Sequence, residues 1–157
     1  MTKLSDQEAL TVDQNSGKNK KIGIVQSIWN SKITNKLYLG CVETLLHYGV
    51  KKKDIKTLRV PGSFELIYGG KKMFNNNKLD AIILIGSIIK GETPHFNFIS
   101  QTVSDGVKDL NLLFEIPFVF CVSTDLNQKQ ALERAGGKKG NKGIDSALTA
   151  LQLIETN

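Results

Sequence analysis

Four side chains of this 157-residue sequence combine a reactive type with a suggestive setting: His95 in GSIIKGETPHF (86–96), Glu65 in VPGSFE (60–65), Trp29 in SIWN (27–30) and Arg134 in ERAGG (133–137). Thr93 is a natural helix N-cap, and Pro94 suits the first helical position, where a missing N–H costs nothing. Gly91 lets backbone approach a ligand closely. A helix start offers free N–H groups and a positive dipole end, which favour an anion and phosphate above all. His95 falls in that first turn, where the dipole should lower its pKa and keep a neutral imidazole able to shuttle protons near neutral pH. A histidine on an exposed helix start, with no ligand, fits these residues equally well.

The other three also carry paired readings. Trp29 is positioned to stack on a flat ring, or to fill a core or interface. Glu65 can accept from ligand hydroxyls, or serve as a favourable acid in a helix's first turn. Arg134 can fork onto a phosphate, or stand as an exposed helical residue.

These residues need elements to bring them together, and the hydropathy pattern supplies them. Residues 1–20 are polar and read as a flexible arm ahead of a single domain over 21–157. KIGIVQSI (21–28), IKTLRV (55–60), AIILIGSII (81–89) and IPFVFCVS (116–123) read as strands. Between them, helical spacing is visible over 32–48, closed by Gly49, then over 64–74 and 95–113, the last with Ile99, Val103, Val107, Leu110 and Leu113 on one face. A helix over 126–135 breaks at Gly136-Gly137 and resumes over 142–155, with Ile144, Ala147, Leu148, Leu151 and Ile154 in register. Four strands alternating with helices predict an α/β fold with a parallel sheet covered on both faces. Such sheets bind ligands at the carboxyl ends of their strands. That rule directs attention to SIWN (27–30), VPGSFE (60–65), GSIIKGETPHF (86–96) and CVSTD (121–125).

Several function classes find no support. The net charge of +6 comes from dispersed lysines, without nucleic-acid motifs or interleaved aromatics; these read as solvated faces, and an anionic small-molecule substrate is compatible with the excess. No run approaches the ~18 apolar residues of a membrane span, and the start lacks a secretory or transit pattern, so a cytosolic location is expected. Cys41 and Cys121 read as buried free thiols, and no metal-ligand cluster is visible. GGKKGNKG (136–143) fails the P-loop register and reads as a glycine-permitted kink. His47, in a helix's last turn, reads as structural.

Taken together, VPGSFEL (60–66), GSIIKGETPHF (86–96) and QALERAGGKKGNKG (130–143) strongly resemble the lumazine synthase family, in order and spacing, over about residues 21–155. The resemblance implies a flavodoxin-like three-layer α/β/α sandwich with a four-stranded parallel sheet. It also implies condensation of 5-amino-6-(D-ribitylamino)uracil with 3,4-dihydroxy-2-butanone 4-phosphate to 6,7-dimethyl-8-ribityllumazine, without metal or organic cofactor, in riboflavin biosynthesis. By motif position His95 would be the acid/base group. Trp29, Ser63, Phe64, Glu65, Ser87, Ile88 and Ile89 would hold the ribitylaminouracil, with Trp29 on the ring and Glu65 on a ribityl hydroxyl. Glu92 and Thr93 would hold the butanone phosphate through their N–H groups. Phe120, as a ring wall, and Arg134, as the phosphate-binding guanidinium, would come from a neighbouring subunit, with Lys142 reaching the same site. A shared site implies a homo-oligomer, a pentamer or a cage of twelve pentamers, and riboflavin synthase is a further candidate partner. Lys90 where Arg is usual, Gly137 where Thr is frequent and Cys121 where Gly is common depart from the pattern. A catalytically idle ligand binder and a purely structural shell are the competing classes, against which the joint presence of His95, Glu65 and Arg134 argues.

Overall fold

The apolar run AIILIGSII forms a central strand, β3 (Ala81–Ile89), in the structure, a computed structural model that describes residues 11–156. β3 lies between β1 (Ile22–Ser27) and β4 (Phe118–Asp125), with β2 (Ile55–Val60) outside β1, and all pairings are parallel. Side chains alternate across a strand, so each face needs its own cover. Ile22, Ile24, Ile83, Ile85, Val119 and Cys121 pack beneath α1 (Ser31–His47) and α5 (Lys142–Glu155). Val25, Ile82, Leu84, Ile88, Phe118 and Val122 pack beneath α2 (Leu66–Asn76) and α3 (His95–Leu113) on the opposite face. Each such aliphatic side chain contributes about 1.5–3 kcal/mol on burial, which makes the doubly covered strand the strongest single element of the core. The result is the flavodoxin-like α/β/α sandwich expected. A short α4 (Gln128–Arg134) and a two-stranded hairpin, β5 (Ala135–Gly137) with β6 (Gly140–Asn141), precede α5.

Gly49 ends α1 as predicted. Its φ of 96° allows Gly49 N–H to reach the Leu46 carbonyl and Val50 N–H the Leu45 carbonyl, a Schellman closure. The GGKKGNKG kink is the β5–β6 hairpin, and Gly136 and Gly140 supply its positive φ values of 103° and 80°.

Three expected boundaries or faces differ for identifiable reasons. The fourth strand is displaced from 116–123 to Phe118–Asp125. Pro117 has no N–H to give the ladder, whereas its carbonyl accepts from Ile82 N–H, and the pairing then runs on to Ile89 with Asp125. Helix α2 starts two residues late because residues 62–65 are used in a turn closed by Glu65. On α5, Ile144 is 40% exposed while Gly143, Ser146, Ala147 and Ala150 are buried. Small residues let α5 approach α1 closely, and that contact rotates the larger Ile144 out of the core. Leu113 also leaves its expected face at 75% exposure, joining exposed Leu112, Phe98 and Tyr68 on the α2–α3 side.

The expected arm covers residues 1–20. Over 11–20 the chain makes turns against the end of α1, with Gly17 N–H on the Tyr48 carbonyl and Val12 against the core. Residues 1–10 lie outside the described residues. Both cysteines are free and buried, and burial pushes the Cys121 thiol up to about 11, with a smaller opposing effect of its Ser146 hydrogen bond.

A Cβ at Gly143 would overlap the Leu37 carbonyl oxygen of α1, a backbone atom that cannot swing away. Gly143→Ala should therefore destabilise the protein by about 2–3 kcal/mol in urea unfolding. Gly91→Ala, which meets no atom within 4 Å, should stay within about 0.5 kcal/mol of the parent. Equal stability for the two variants would show that the α1–α5 contact is not close-packed.

Candidate active site

The strand order reverses between β1 and β3: the chain leaves β1 toward β2, then returns over β1 to β3. In open α/β sheets the crevice at this switch point is where ligands sit. Register sharpens the location. β1 pairs with β3 only as far as Gln26 with Ile85, whereas β3 continues on its other side to Ile89 with Asp125. Gly86–Ile89 thus outrun β1, so backbone on that flank faces the crevice rather than a strand partner. Ser87, Ile88 and Ile89 lie in this overhang, with Ile88 anchored in the core.

One wall follows β1. Ile28 N–H and Trp29 N–H both donate to the Pro61 carbonyl, tying the end of β1 to the turn after β2. Asn30 then adopts a left-handed conformation (φ 58°, ψ 41°), which asparagine tolerates better than most residues. Its Nδ2 donates to the Ser87 carbonyl at 2.8 Å, spanning the crevice mouth. Trp29 is 67% exposed, and its ring lies so close over Gly62 that a Cβ there would be 2.6 Å from it. A flat, exposed, backbone-supported indole is a stacking platform.

The floor is the turn 61–65. Gly62 N–H donates to Glu65 Oε2 at 2.9 Å, and Glu65 N–H donates to the Gly62 carbonyl at 3.2 Å. One carboxylate oxygen is thus used to shape the turn, and the other can accept from a ligand hydroxyl. The sequence set a first-turn acid against a ligand acceptor; α2 begins only at Leu66, so Glu65 precedes the first turn and shapes the 62–65 turn instead, with one oxygen left to accept. Ser63 is buried against β3, where only a glycine at position 86 leaves room for its hydroxyl. The hydroxyls of Ser27, Ser63 and Ser87 are buried without a protein partner. A buried hydroxyl costs free energy until it finds one. Phe64 is 53% exposed beside the turn.

The third wall is the turn from Lys90 to Pro94. Lys90 N–H donates to the Asp125 carbonyl, and Gly91, Glu92 and Thr93 are exposed. Helix α3 starts at His95, as its spacing predicted, with Pro94 already in helical conformation. Thr93 Oγ1 accepts from His95 N–H at 3.4 Å, a long version of the predicted cap. The first turn of α3 contains no acid, and His95 is exposed there.

Phe120, Arg134 and Lys142 form a separate group. They line a groove of about 600 Å³ along the free edge of β4, together with Cys121, Asp125 and Asp145. Phe120 pairs in register with Leu84, well before the strand ends, and is 42% exposed. Arg134 Nη1 donates to the Gln130 carbonyl at 3.2 Å and lies 3.7 Å from Asp125 Oδ1. Lys142 Nζ bonds Asp145 Oδ2 at 3.1 Å. The Lys90 N–H bond to the Asp125 carbonyl joins the groove to the third wall of the crevice, but Phe120, Arg134 and Lys142 make no side-chain hydrogen bond to the crevice residues. Sequence reading missed Asp125, Asp145 and the bridging role of Asn30. Asp145 was findable three residues after Lys142 in a helix's first turn; Asp125 closes CVSTD (121–125), one of the strand ends singled out, but its burial had no sequence signal.

A concavity of about 670 Å³ at the opposite ends of the strands, lined by Asn19, Lys21 and Asn75–Asp80, is larger. Its Asp80 is taken by Lys21 N–H, and no histidine or arginine faces it, so the strand-end crevice is the better candidate.

Comparison with known proteins identifies the family. The sequence profile of the family described as 6,7-dimethyl-8-ribityllumazine synthase matches residues 19–157. A 6,7-dimethyl-8-ribityllumazine synthase of Flavobacterium psychrophilum is 49% identical over 138 residues, 88% of this chain and 73% of the relative. Those of Bacteroides fragilis (47% identical; 86% of this chain, 94% of the relative) and Parabacteroides distasonis (44%; 85% and 83%) are similar over nearly the same span. The motifs on which the resemblance rested, at 60–66, 86–96 and 130–143, all lie inside the matched region, and the chain belongs to the 6,7-dimethyl-8-ribityllumazine synthase family.

Proposed function

We propose that this chain condenses 5-amino-6-(D-ribitylamino)uracil with 3,4-dihydroxy-2-butanone 4-phosphate, releasing phosphate and water, as a cytosolic enzyme of riboflavin biosynthesis. The observation that carries this reading is the overhang of β3 at the switch point, walled by Trp29 on one side and the start of α3 on the other. A planar heterocycle fits between the exposed indole and the free backbone of 87–89. Its ribityl chain runs toward Ser63 and the free oxygen of Glu65, both rich in unmet hydrogen-bonding capacity. Phe64 closes that side.

The butanone phosphate belongs at Glu92, Thr93 and the first N–H groups of α3, where the dipole favours its charge. The ring amine attacks the ketone and water leaves, giving a Schiff base. Loss of a proton beside the imine and departure of phosphate follow, and the ribitylamino nitrogen closes the ring with loss of a second water. Each step moves a proton near the phosphate-bearing carbons. His95, exposed next to the phosphate turn, is placed to accept and return it.

Arg134, Lys142 and Phe120 complete the site only if they come from a neighbouring copy, because on one chain they line a different groove. The exposed apolar residues Phe98, Leu112 and Leu113 supply surface for such an assembly. A pentamer, alone or as one of twelve in a cage with or without riboflavin synthase inside, satisfies this arrangement, and light scattering separates the two sizes.

Mixing purified protein with both substrates tests the function: lumazine absorbance should rise above the uncatalysed rate, and no increase would reject the activity. His95→Ala should slow turnover by about 10²-fold or less, since holding two reactants together contributes much of the acceleration and survives the change. Complete loss of rate with substrate binding preserved would contradict that share. Arg134→Ala should raise KM for the butanone phosphate by roughly tenfold or more and leave KM for the pyrimidine unchanged. An unaltered KM for the phosphate substrate would remove Arg134 from the site.

A further inference from the structure

Asp125, at the end of β4, is the one charged side chain among the buried described residues, at 3% exposure. A carboxylate taken out of water is costly unless it is paired and hydrogen-bonded. Asp125 meets both conditions: the Ser123 hydroxyl donates to its Oδ2 in a short bond, and Arg134 Nη1 lies 3.7 Å from its Oδ1. The backbone carbonyl of Asp125 is fixed as well, by Lys90 N–H at 2.9 Å. The same Arg134 nitrogen donates to the Gln130 carbonyl at 3.2 Å. One corner of the guanidinium is therefore held from two directions, and its Nε–Nη2 edge is left to serve a ligand. That side chain is 39% exposed on the groove along β4, while its anchor is 2% exposed.

We infer that Asp125 is a positioning residue: its buried carboxylate fixes the Arg134 guanidinium in the orientation from which the free edge receives the phosphate of the butanone substrate. This rests on the phosphate-binding role proposed for Arg134. An arginine side chain loses considerable rotamer freedom when it is ordered. Asp125 and Gln130 impose that order before the phosphate arrives, so less is lost on binding. Ser123 acts one step further back by orienting the carboxylate.

A purely electrostatic role for Asp125 predicts the opposite sign. A negative charge beside a phosphate site weakens phosphate binding, so removing it would tighten binding if orientation did not matter. Asp125→Asn keeps the shape and the Ser123 hydrogen bond and removes the charge that grips Arg134. In the full-length protein it should raise KM for the butanone phosphate about fivefold to tenfold and raise the inhibition constant of inorganic phosphate in parallel. Turnover at saturation should stay within about twofold, and KM for the pyrimidine should not move. In an Arg134→Ala background the same substitution should have no further effect on either phosphate constant. Ser123→Ala, which leaves every charge in place, should shift both constants in the same direction by a smaller factor, and serves if the Asn variant fails to fold. Unchanged or tightened phosphate constants in Asp125→Asn, or in Ser123→Ala where that variant stands in, would overturn the inference while leaving the proposed function intact. An Arg134→Ala variant with an unaltered phosphate KM would instead fault the underlying reading, and the inference with it.

Discussion

Strand β3 is longer than its neighbour β1 at the carboxyl end, and the rest of the candidate site depends on that mismatch. A parallel ladder satisfies backbone groups continuously, and a strand that outruns its partner leaves them unpaired on one flank. Here the flank opens at the switch point, where the two crossover helices, α1 and α2, pack on opposite faces of the sheet. The overhang survives because its root is exceptionally secure: Ile82–Ile85 are fully buried, two on each face. Asn30, in a left-handed conformation that few residues tolerate, closes only one point of the flank by bonding the Ser87 carbonyl. It sets the width of the crevice without filling it, and it orients the preceding Trp29 as a consequence.

Charge is arranged with similar economy. The chain is strongly basic, yet both cations of the β4 groove are paired with carboxylates, Arg134 with Asp125 and Lys142 with Asp145. The pairs differ in kind. Lys142 and Asp145 are each about half exposed, so their pair is a weak, solvent-screened one. Asp125 is buried and cannot turn to water, so its pairing constrains Arg134 far more. The crevice, by contrast, holds orphaned hydroxyls, half-engaged Glu65 and a helix start free of acid in its first turn. One surface offers oriented cations and the other offers hydrogen-bonding capacity without them.

Much of this was legible in the sequence because the determining signals were local. The continuous apolar run of β3 and the 95–113 pattern of α3 gave both elements their observed bounds, and Gly49 announced the close of α1. What failed was set by partners distant in the chain. Pro117 moved β4 by two residues because its carbonyl, not its nitrogen, joins the ladder. The α5 face turned because small residues at 143, 146, 147 and 150 let α1 approach, and hydropathy alone favours Ile144 over a glycine. The residues that line the crevice were legible because each sits at a strand end, whereas Glu65 falls ahead of α2 rather than in its first turn because the 62–65 turn uses its carboxylate. Asp125 remained hidden because burial of a carboxylate beside a serine and an arginine appears only when the strand end and α4 are folded together.

Under the proposed function, the exposed apolar surface and the division of the site between copies have one physical origin. A monomer that leaves Phe98, Leu112, Leu113 and Tyr68 each about 70% exposed or more is carrying unburied area of the kind that marks interaction surfaces. The same chain presents an unpaired β4 edge with Phe120 half-exposed and an oriented arginine that faces away from its own crevice. Edge strands and apolar patches are liabilities for an isolated chain. Under the proposed function both are answered by one contact, in which the β4 groove of one copy meets the crevice of the next. On that proposal each half-site is prepared by folding before the copies meet, and Arg134 is best held in advance by its own chain, because the crevice it would serve belongs to another.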